Sequence, residues 1–128
     1  MIILVVKILL VDADHLLLSV SKRILEMEKG FDVDTSTSVD DAINKVRVQR
    51  YDVIISDYEM PDKDRITLFL SLRDGKYRLP FILLYDGENE VAKKSFSMGI
   101  NRCIFKYGSV EALYIELKLA IESVIPKT

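Results

Sequence analysis

The chain is poor in the residues that mark several large functional classes. Its one cysteine, Cys103, excludes a disulfide framework and a zinc site built from cysteines. Cys103 reads as a half-buried strand residue rather than a nucleophile. A single histidine, His15, and no acid–histidine–nucleophile spacing leave a hydrolytic triad without its parts. His15 reads instead as a solvent-facing residue in a first helical turn. Gly87, Gly99 and Gly108 stand isolated, forming neither a phosphate-binding loop nor a dinucleotide fingerprint. Charge of one sign is also missing. With 18 Lys and Arg against 20 Asp and Glu, the net charge of -2 gives no nucleic-acid stripe and no polybasic membrane face. No apolar segment approaches the roughly 18 residues that a membrane span needs. Met1 to Val11 is apolar apart from Lys7, but Asp12 and Asp14 interrupt it and no small-residue cleavage pattern follows. It reads as a buried strand rather than a signal peptide. Nothing forces an extracellular reading, so a reducing cytoplasm is the default.

What is present describes one globular domain, residues 1–128, with no repeat and no internal linker. A composition of 49% hydrophobic and 30% charged residues suits a folded chain with a sizeable core. Apolar runs rich in β-branched residues alternate with segments of helical period. Strands are expected over Ile3 to Leu10 or Val11, Phe31 to Ser36, Asp52 to Ser56, Phe81 to Leu84 and Arg102 to Phe105. Lys7 sits near a strand end or snorkels. The first helix is expected from about His15 to Lys29, ended by Gly30, with Leu16, Leu17, Val20, Ile24, Leu25 and Met27 as its apolar face. The second runs to about Gln49 behind a capping box of Ser38 and Asp41, with Val39, Ala42, Ile43 and Val46 inward. Arg65 to Arg73 makes an unusually apolar third helix. A fourth spans Glu88 to Ser97, with Val91, Phe96 and Met98 inward, and Tyr85-Asp86-Gly87 before it reads as a loop. Ser109 caps a last helix that ends near Ser123, before Pro126. Such alternation gives a mostly parallel sheet with right-handed crossovers and helices on both faces. Strand order does not follow from it.

The chain is organised around Tyr51 to Asp64. Val53, Ile54 and Ile55 form a buried strand, Ser56 and Asp57 end it, and Met60-Pro61 begins a turn. A carboxylate thus stands where a buried strand reaches the surface, the place where open α/β sheets bind ligands. The neighbouring strand ends carry Asp12, Asp14, Glu59, Tyr85, Asp86 and Lys106. Two readings of this set stand side by side. Loops are wet and therefore often acidic; alternatively, carboxylates facing one lysine form a site for a hard cation or a phosphoryl group.

The runs ILLVDAD at Ile8 to Asp14 and DVIISDYEMPDKD at Asp52 to Asp64, Pro80 before the fourth strand, and GINRCIFK at Gly99 to Lys106 resemble, in order and spacing, the receiver domain of two-component response regulators. The likeness runs from Ile3 to about Ile125. It implies a doubly wound (βα)5 flavodoxin-like fold with strand order 2-1-3-4-5. It further implies that Asp57 accepts a phosphoryl group, that Asp12, Asp57 and the backbone carbonyl of Glu59 hold magnesium, and that Lys106 pairs with the phosphorylated aspartate. The partners it implies are a sensor histidine kinase or phosphotransfer protein and a downstream effector domain or protein, with a second copy as a further candidate. The face of the fourth helix, fifth strand and fifth helix would be the output surface. Neither direct nucleic-acid binding nor membrane insertion is expected.

Departures from that family fall inside the site. Its second acid is Ala13 here, which has no oxygen to offer. Its short hydroxyl residue is Tyr85 and its switch aromatic is Cys103. Arg65 and Tyr107 replace a glycine and a proline. Weakened or absent magnesium binding is therefore expected, and Tyr85 is expected to plug the pocket or act as its own switch. Phosphoryl acceptance in a phosphorelay is the main expectation, with at most magnesium-dependent self-phosphorylation and dephosphorylation as activity. The alternative is a phosphorylation-independent pseudo-receiver serving as a protein-interaction module. An unrelated small hydrolytic enzyme lacks both a phosphate loop and a histidine base.

Overall fold

The computed structural model describes residues 5–57, 67–85, 94, 96–106 and 109–125. Its strands are β1 Val6–Val11, β2 Phe31–Ser36, β3 Val53–Asp57, β4 Phe81–Tyr85 and β5 Arg102–Phe105. All pairs are parallel, in the order β2-β1-β3-β4-β5. The described helices are α1 His15–Leu25, α2 Val39–Val48, α3 Thr67–Asp74 and α4 Val110–Val124, the last being the helix expected after Ser109. The helix expected over Glu88 to Ser97 lies mostly outside the described residues, although Lys94, Phe96 and Ser97 are helical. Among the described residues no helix is long and apolar enough to cross a membrane.

β3 is buried along its whole length, which a central strand covered on both faces requires. Alternate residues of the strands feed two cores. Leu9, Val11, Ile54, Phe81 and Leu83 pack with Val39, Ala42 and Val46 of α2 and Leu68, Phe69 and Leu72 of α3. Ile8, Leu10, Val53, Ile55, Ile82 and Ile104 pack with Leu18 and Leu25 of α1 and Leu117, Ala120 and Ile121 of α4. Each valine, leucine, isoleucine or phenylalanine among them, fully buried, contributes roughly 1.5–3 kcal/mol. At the edge, Lys7 Nζ lies 2.8 Å from Asp32 and 3.3 Å from Asp34, and the Tyr51 hydroxyl donates to Asp34 at 2.7 Å. These bonds fasten β2 to β1 and to the chain entering β3.

Several local expectations are corrected. α1 ends at Leu25 rather than Lys29, and Gly30 takes a φ of 96° directly before β2. Its inward face is Leu18, Ser21 and Leu25, while Leu16 (75% exposed), Leu17, Val20 and Met27 face outward. A stripe one turn wide suffices to cover this flank of the sheet, and Ser21 is satisfied there by the Tyr114 hydroxyl at 2.7 Å. Phe96, expected to face inward, is likewise exposed. The capping box is half formed: Ser38 accepts from the Asp41 N–H, but Asp41 accepts from the Ser36 hydroxyl at 2.7 Å instead of turning back. Tyr85 is the last residue of β4, not part of the loop, and Asp57 closes β3, whose first residue is Val53.

α3 ends in a Schellman turn. The Tyr77 N–H donates to Leu72 O at 2.9 Å, and the Lys76 N–H to Arg73 O at 3.0 Å. The left-handed position is therefore Lys76 (φ 66°), and not Gly75. A Cβ on Gly75 would meet the Tyr77 ring at 3.0 Å, so that glycine makes room for the ring. Lys76→Gly removes the Cβ from the left-handed position and should raise stability by about 1 kcal/mol. Urea unfolding checks this; an unchanged or lower midpoint would count against it.

Candidate functional site

Strand pleating decides which side chains can meet, because successive residues point to opposite faces. Ile8 and Leu10, Val53 and Ile55, and Ile104 lie on the face covered by α1 and α4. Asp12, Asp57 and Lys106 continue that alternation at the carboxyl edge. Asp12 and Asp57 are each only 6% exposed. Lys106 Nζ stands 3.0 Å from Asp57 Oδ2, with 22% of its side chain exposed. The Lys106 N–H also donates to Tyr85 O at 2.8 Å, anchoring the exit of β5 to β4.

Asp12 is the strained member of the set. Burial is the main cause that pushes its carboxyl above the usual range, and the Asp57 carboxyl, within hydrogen-bonding reach, adds to it. The Asp14 N–H, which donates to Asp12 Oδ1 at 3.0 Å, and the Lys106 charge oppose this rise without cancelling it. Two carboxyls with one ammonium, held away from water, form a site short of positive charge. Hard oxygen donors of this kind fit magnesium, which binds through one or two carboxylates with waters and phosphoryl oxygens. Among the described residues, however, no three His, Cys, Asp or Glu converge.

Asp14 does not replace the missing acid. Its carboxylate caps α1, accepting from the Leu16 and Leu17 N–H groups at 3.0 and 3.1 Å, and the residue is exposed. Ala13 beside it is half-buried. Glu59, Arg65, Asp86 and Tyr107 lie outside the described residues. Tyr85 and Cys103 share the opposite face of the sheet, toward α2 and α3. Tyr85 is 8% exposed, and its ring centroid is 5.5 Å from that of Phe105. Cys103 is half-buried against the core there, as expected. Sequence reasoning missed Phe105. The signal was available, since Phe105 follows Cys103 by two residues on the same face and pairs with Tyr85 in the strand register.

A raised carboxyl pKa has a definite sign. The Asp12 contribution is fully present below its unfolded value and is lost as pH rises through the higher folded value. Asp34 and Asp41 run the other way. For Asp34, burial is outweighed by the Tyr51 hydroxyl and Lys7; for Asp41, the Ser36 hydroxyl leads, followed by Lys45. Both stabilise above the unfolded carboxyl range and lose that effect as pH falls. Asp12→Asn keeps an oxygen for the Asp14 N–H but removes the charge. We expect it to raise stability at pH 7 without magnesium by about 1–2 kcal/mol. The gain should vanish in acid, and denaturant midpoints from pH 3 to pH 8 would expose a constant difference if Asp12 were not the cause.

A family model described as the response regulator receiver domain matches residues 8–118. The chain belongs to that family. Among curated proteins, this receiver domain is 35% identical to the sensor protein EvgS of Escherichia coli (strain K12) over 89 residues, which is 69% of this chain and 7% of that protein. It is 34% identical to the two-component response regulator ORR21 of Oryza sativa subsp. indica over 110 residues, 84% of this chain and 16% of that protein. It therefore spans only a small part of the length of these relatives. Among solved structures, the non-phosphorylated HemR receiver domain of Leptospira biflexa superposes with a TM-score of 0.82 at 25% identity, covering 96% of this chain and 99% of that one. The Francisella response regulator 1452 receiver domain gives a TM-score of 0.78 at 26% identity, covering 91% and 97%. Membership places the chain among the receiver domains of two-component systems, a family whose members accept phosphoryl groups with weak, magnesium-dependent activity.

Proposed function

We propose that Asp57 is the phosphoryl acceptor of this receiver domain and that its donor is a phosphohistidine on a sensor histidine kinase or phosphotransfer protein. The observation that carries this reading is the ion pair of 3.0 Å between Lys106 and the nearly buried Asp57 at the end of the central strand. An Asp57 oxygen attacks phosphorus, the P–N bond breaks, and the imidazole leaves with the electron pair and takes up a proton. Lys106 sits on the attacking carboxylate and is placed to hold a phosphoryl oxygen once the acyl phosphate forms. Asp12 and Asp57 would hold magnesium, with Glu59 as the further ligand, and the ion would neutralise phosphoryl charge.

Incubation with acetyl phosphate and magnesium, followed by intact mass, tests the proposal: one base-labile phosphoryl adduct is expected. Absence of an adduct, together with no response to fluoroberyllate, would overturn it. A cytoplasmic setting suits such a donor. The output would run through the face of β5 and α4, where Phe105, Ile115 and Leu119 are exposed, to an effector domain or a second copy. A single domain over residues 1–128, working within a longer regulator or hybrid kinase, suits the small share of the relatives that the chain covers.

A second reading, a pseudo-receiver that binds partners without phosphorylation, is favoured by one arrangement. Tyr85, where the family carries a short hydroxyl, is committed to Phe105 on the face away from Asp57. That reading predicts partner binding unchanged by acetyl phosphate and magnesium, and loss of binding on phosphorylation would sink it.

A further inference from the structure

At the amino edge of the sheet, the end opposite Asp57, the α2–β3 and α3–β4 connections lie side by side and enclose an open groove of about 460 Å³. Its floor is apolar: Val46 and Tyr51 are buried, and Tyr77 and Leu79 are half-buried. Its rim is cationic: Arg47, Arg50, Lys76 and Arg78 are all exposed, and among the described residues no acidic side chain lines the groove. Among the described residues none of these four cations is in an ion pair. Arg47 reaches only Asn44 Oδ1 at 3.5 Å, and Arg78 only Arg73 O at 3.4 Å. The carboxylate nearest to Tyr51, that of Asp34, is already taken by Lys7 and the Tyr51 hydroxyl. Behind the rim, burial first and the proximity of Arg78 second lower the Arg73 pKa. In a chain of net charge -2 this concentration does not come from overall composition. Lys76 adds a separate observation. It holds a left-handed backbone position that glycine fills without strain, and it places a cation on the rim.

We propose that this groove docks an acidic peptide segment of a partner protein, one carrying apolar side chains among its carboxylates. The cations are spread along a rim rather than aimed at one point, which suits an extended anion better than a single phosphate. The apolar floor adds what a nucleic-acid duplex would not use, since its affinity rests on phosphate contacts. Charge complementarity supplies the steering and the floor holds the side chains.

The test uses the 128-residue chain and a fluorescein-labelled peptide. The probe has about twelve residues, mostly glutamate, with two leucines and a phenylalanine spaced through it, and is followed by anisotropy at low salt. Saturable binding is expected between the micromolar and the submillimolar range. Arg50→Glu with Arg78→Glu should weaken it about tenfold or more, while Arg23→Glu, an exposed cation on α1, should change it less than about twofold. Lys76→Gly should weaken binding about threefold while unfolding at higher urea; it carries the test if the double variant fails to fold. No saturation by about 1 mM peptide overturns the proposal, and so does equal weakening by Arg23→Glu. Inorganic polyphosphate that binds as tightly as the peptide and displaces it would show the floor to be unused, and would overturn the peptide assignment.

Discussion

Asp57→Asn is expected to abolish the phosphoryl adduct while leaving the fold intact. The amide is a far weaker nucleophile than the carboxylate and cannot form an acyl phosphate. The structural cost should be small. Lys106 loses its 3.0 Å partner but keeps Asp12 as a neighbouring charge and part of its own exposure to water. The repulsion between the Asp12 and Asp57 carboxyls disappears at the same time. These effects oppose each other, so stability should change by no more than about 1 kcal/mol. Intact mass after acetyl phosphate and magnesium reads the chemistry, and urea unfolding reads the fold. A wild-type adduct that persists in Asp57→Asn would assign the acceptor elsewhere, with Asp12 the first residue to map. Loss of the adduct together with loss of the fold would say nothing of the chemistry. In that case Lys106→Met, which leaves the nucleophile in place, should still give an adduct, but more slowly and with a longer lifetime.

Much of this arrangement was legible in the sequence. The β-branched run Val53 to Ile55 marked the central strand, and the acids and lysine at strand ends marked the edge at which Asp12, Asp57 and Lys106 come together. Alternation along each strand carries further: Asp12 follows Ile8 and Leu10, Asp57 follows Val53 and Ile55, and Lys106 follows Ile104, whereas Tyr85 follows Phe81 and Leu83 and Phe105 follows Cys103. The strand register then sets the pocket and the aromatic pair on opposite faces of the sheet. Helix faces were less legible. Leu16, Leu17 and Val20 fit a helical period as well as Leu18 and Leu25 do, and which stripe turns inward depends on the crossover geometry of α1 against the sheet. Asp14 could not be placed from spacing either. A short acid before a helix serves as a cap or as a ligand, and only the backbone turn decides that its oxygen goes to the Leu16 and Leu17 N–H groups. The basic groove was hidden for a different reason. Its cations come from the end of α2 with the connection after it and from the α3–β4 connection, some thirty positions apart, so no run of charge appears in the sequence.

Restoring the absent acid should have the largest effect on metal binding. Ala13 follows Asp12 at the carboxyl edge, and it is half-buried beside a pocket that already holds two carboxyls against one lysine. Ala13→Asp adds a third hard oxygen donor. Cation affinity in such sites rises with the number of charged ligands, so magnesium should bind about tenfold more tightly or better, equivalent to about 1.4 kcal/mol. The same carboxylate has a cost without the ion. A third negative charge close to Asp12 and Asp57 should lower stability in chelator by about 1–2 kcal/mol, and millimolar magnesium should return it. Unfolding midpoints with and without magnesium, beside an NMR titration, measure both halves. Asp12→Asn supplies the reverse case, with higher stability in chelator and little response to magnesium. If Ala13→Asp lost stability in chelator and magnesium did not restore it, the new carboxylate would be pointing away from the pocket. The weakness of the wild-type site would then lie in the path of the chain after β1, with Asp14 drawn into capping α1, and not in the missing oxygen alone.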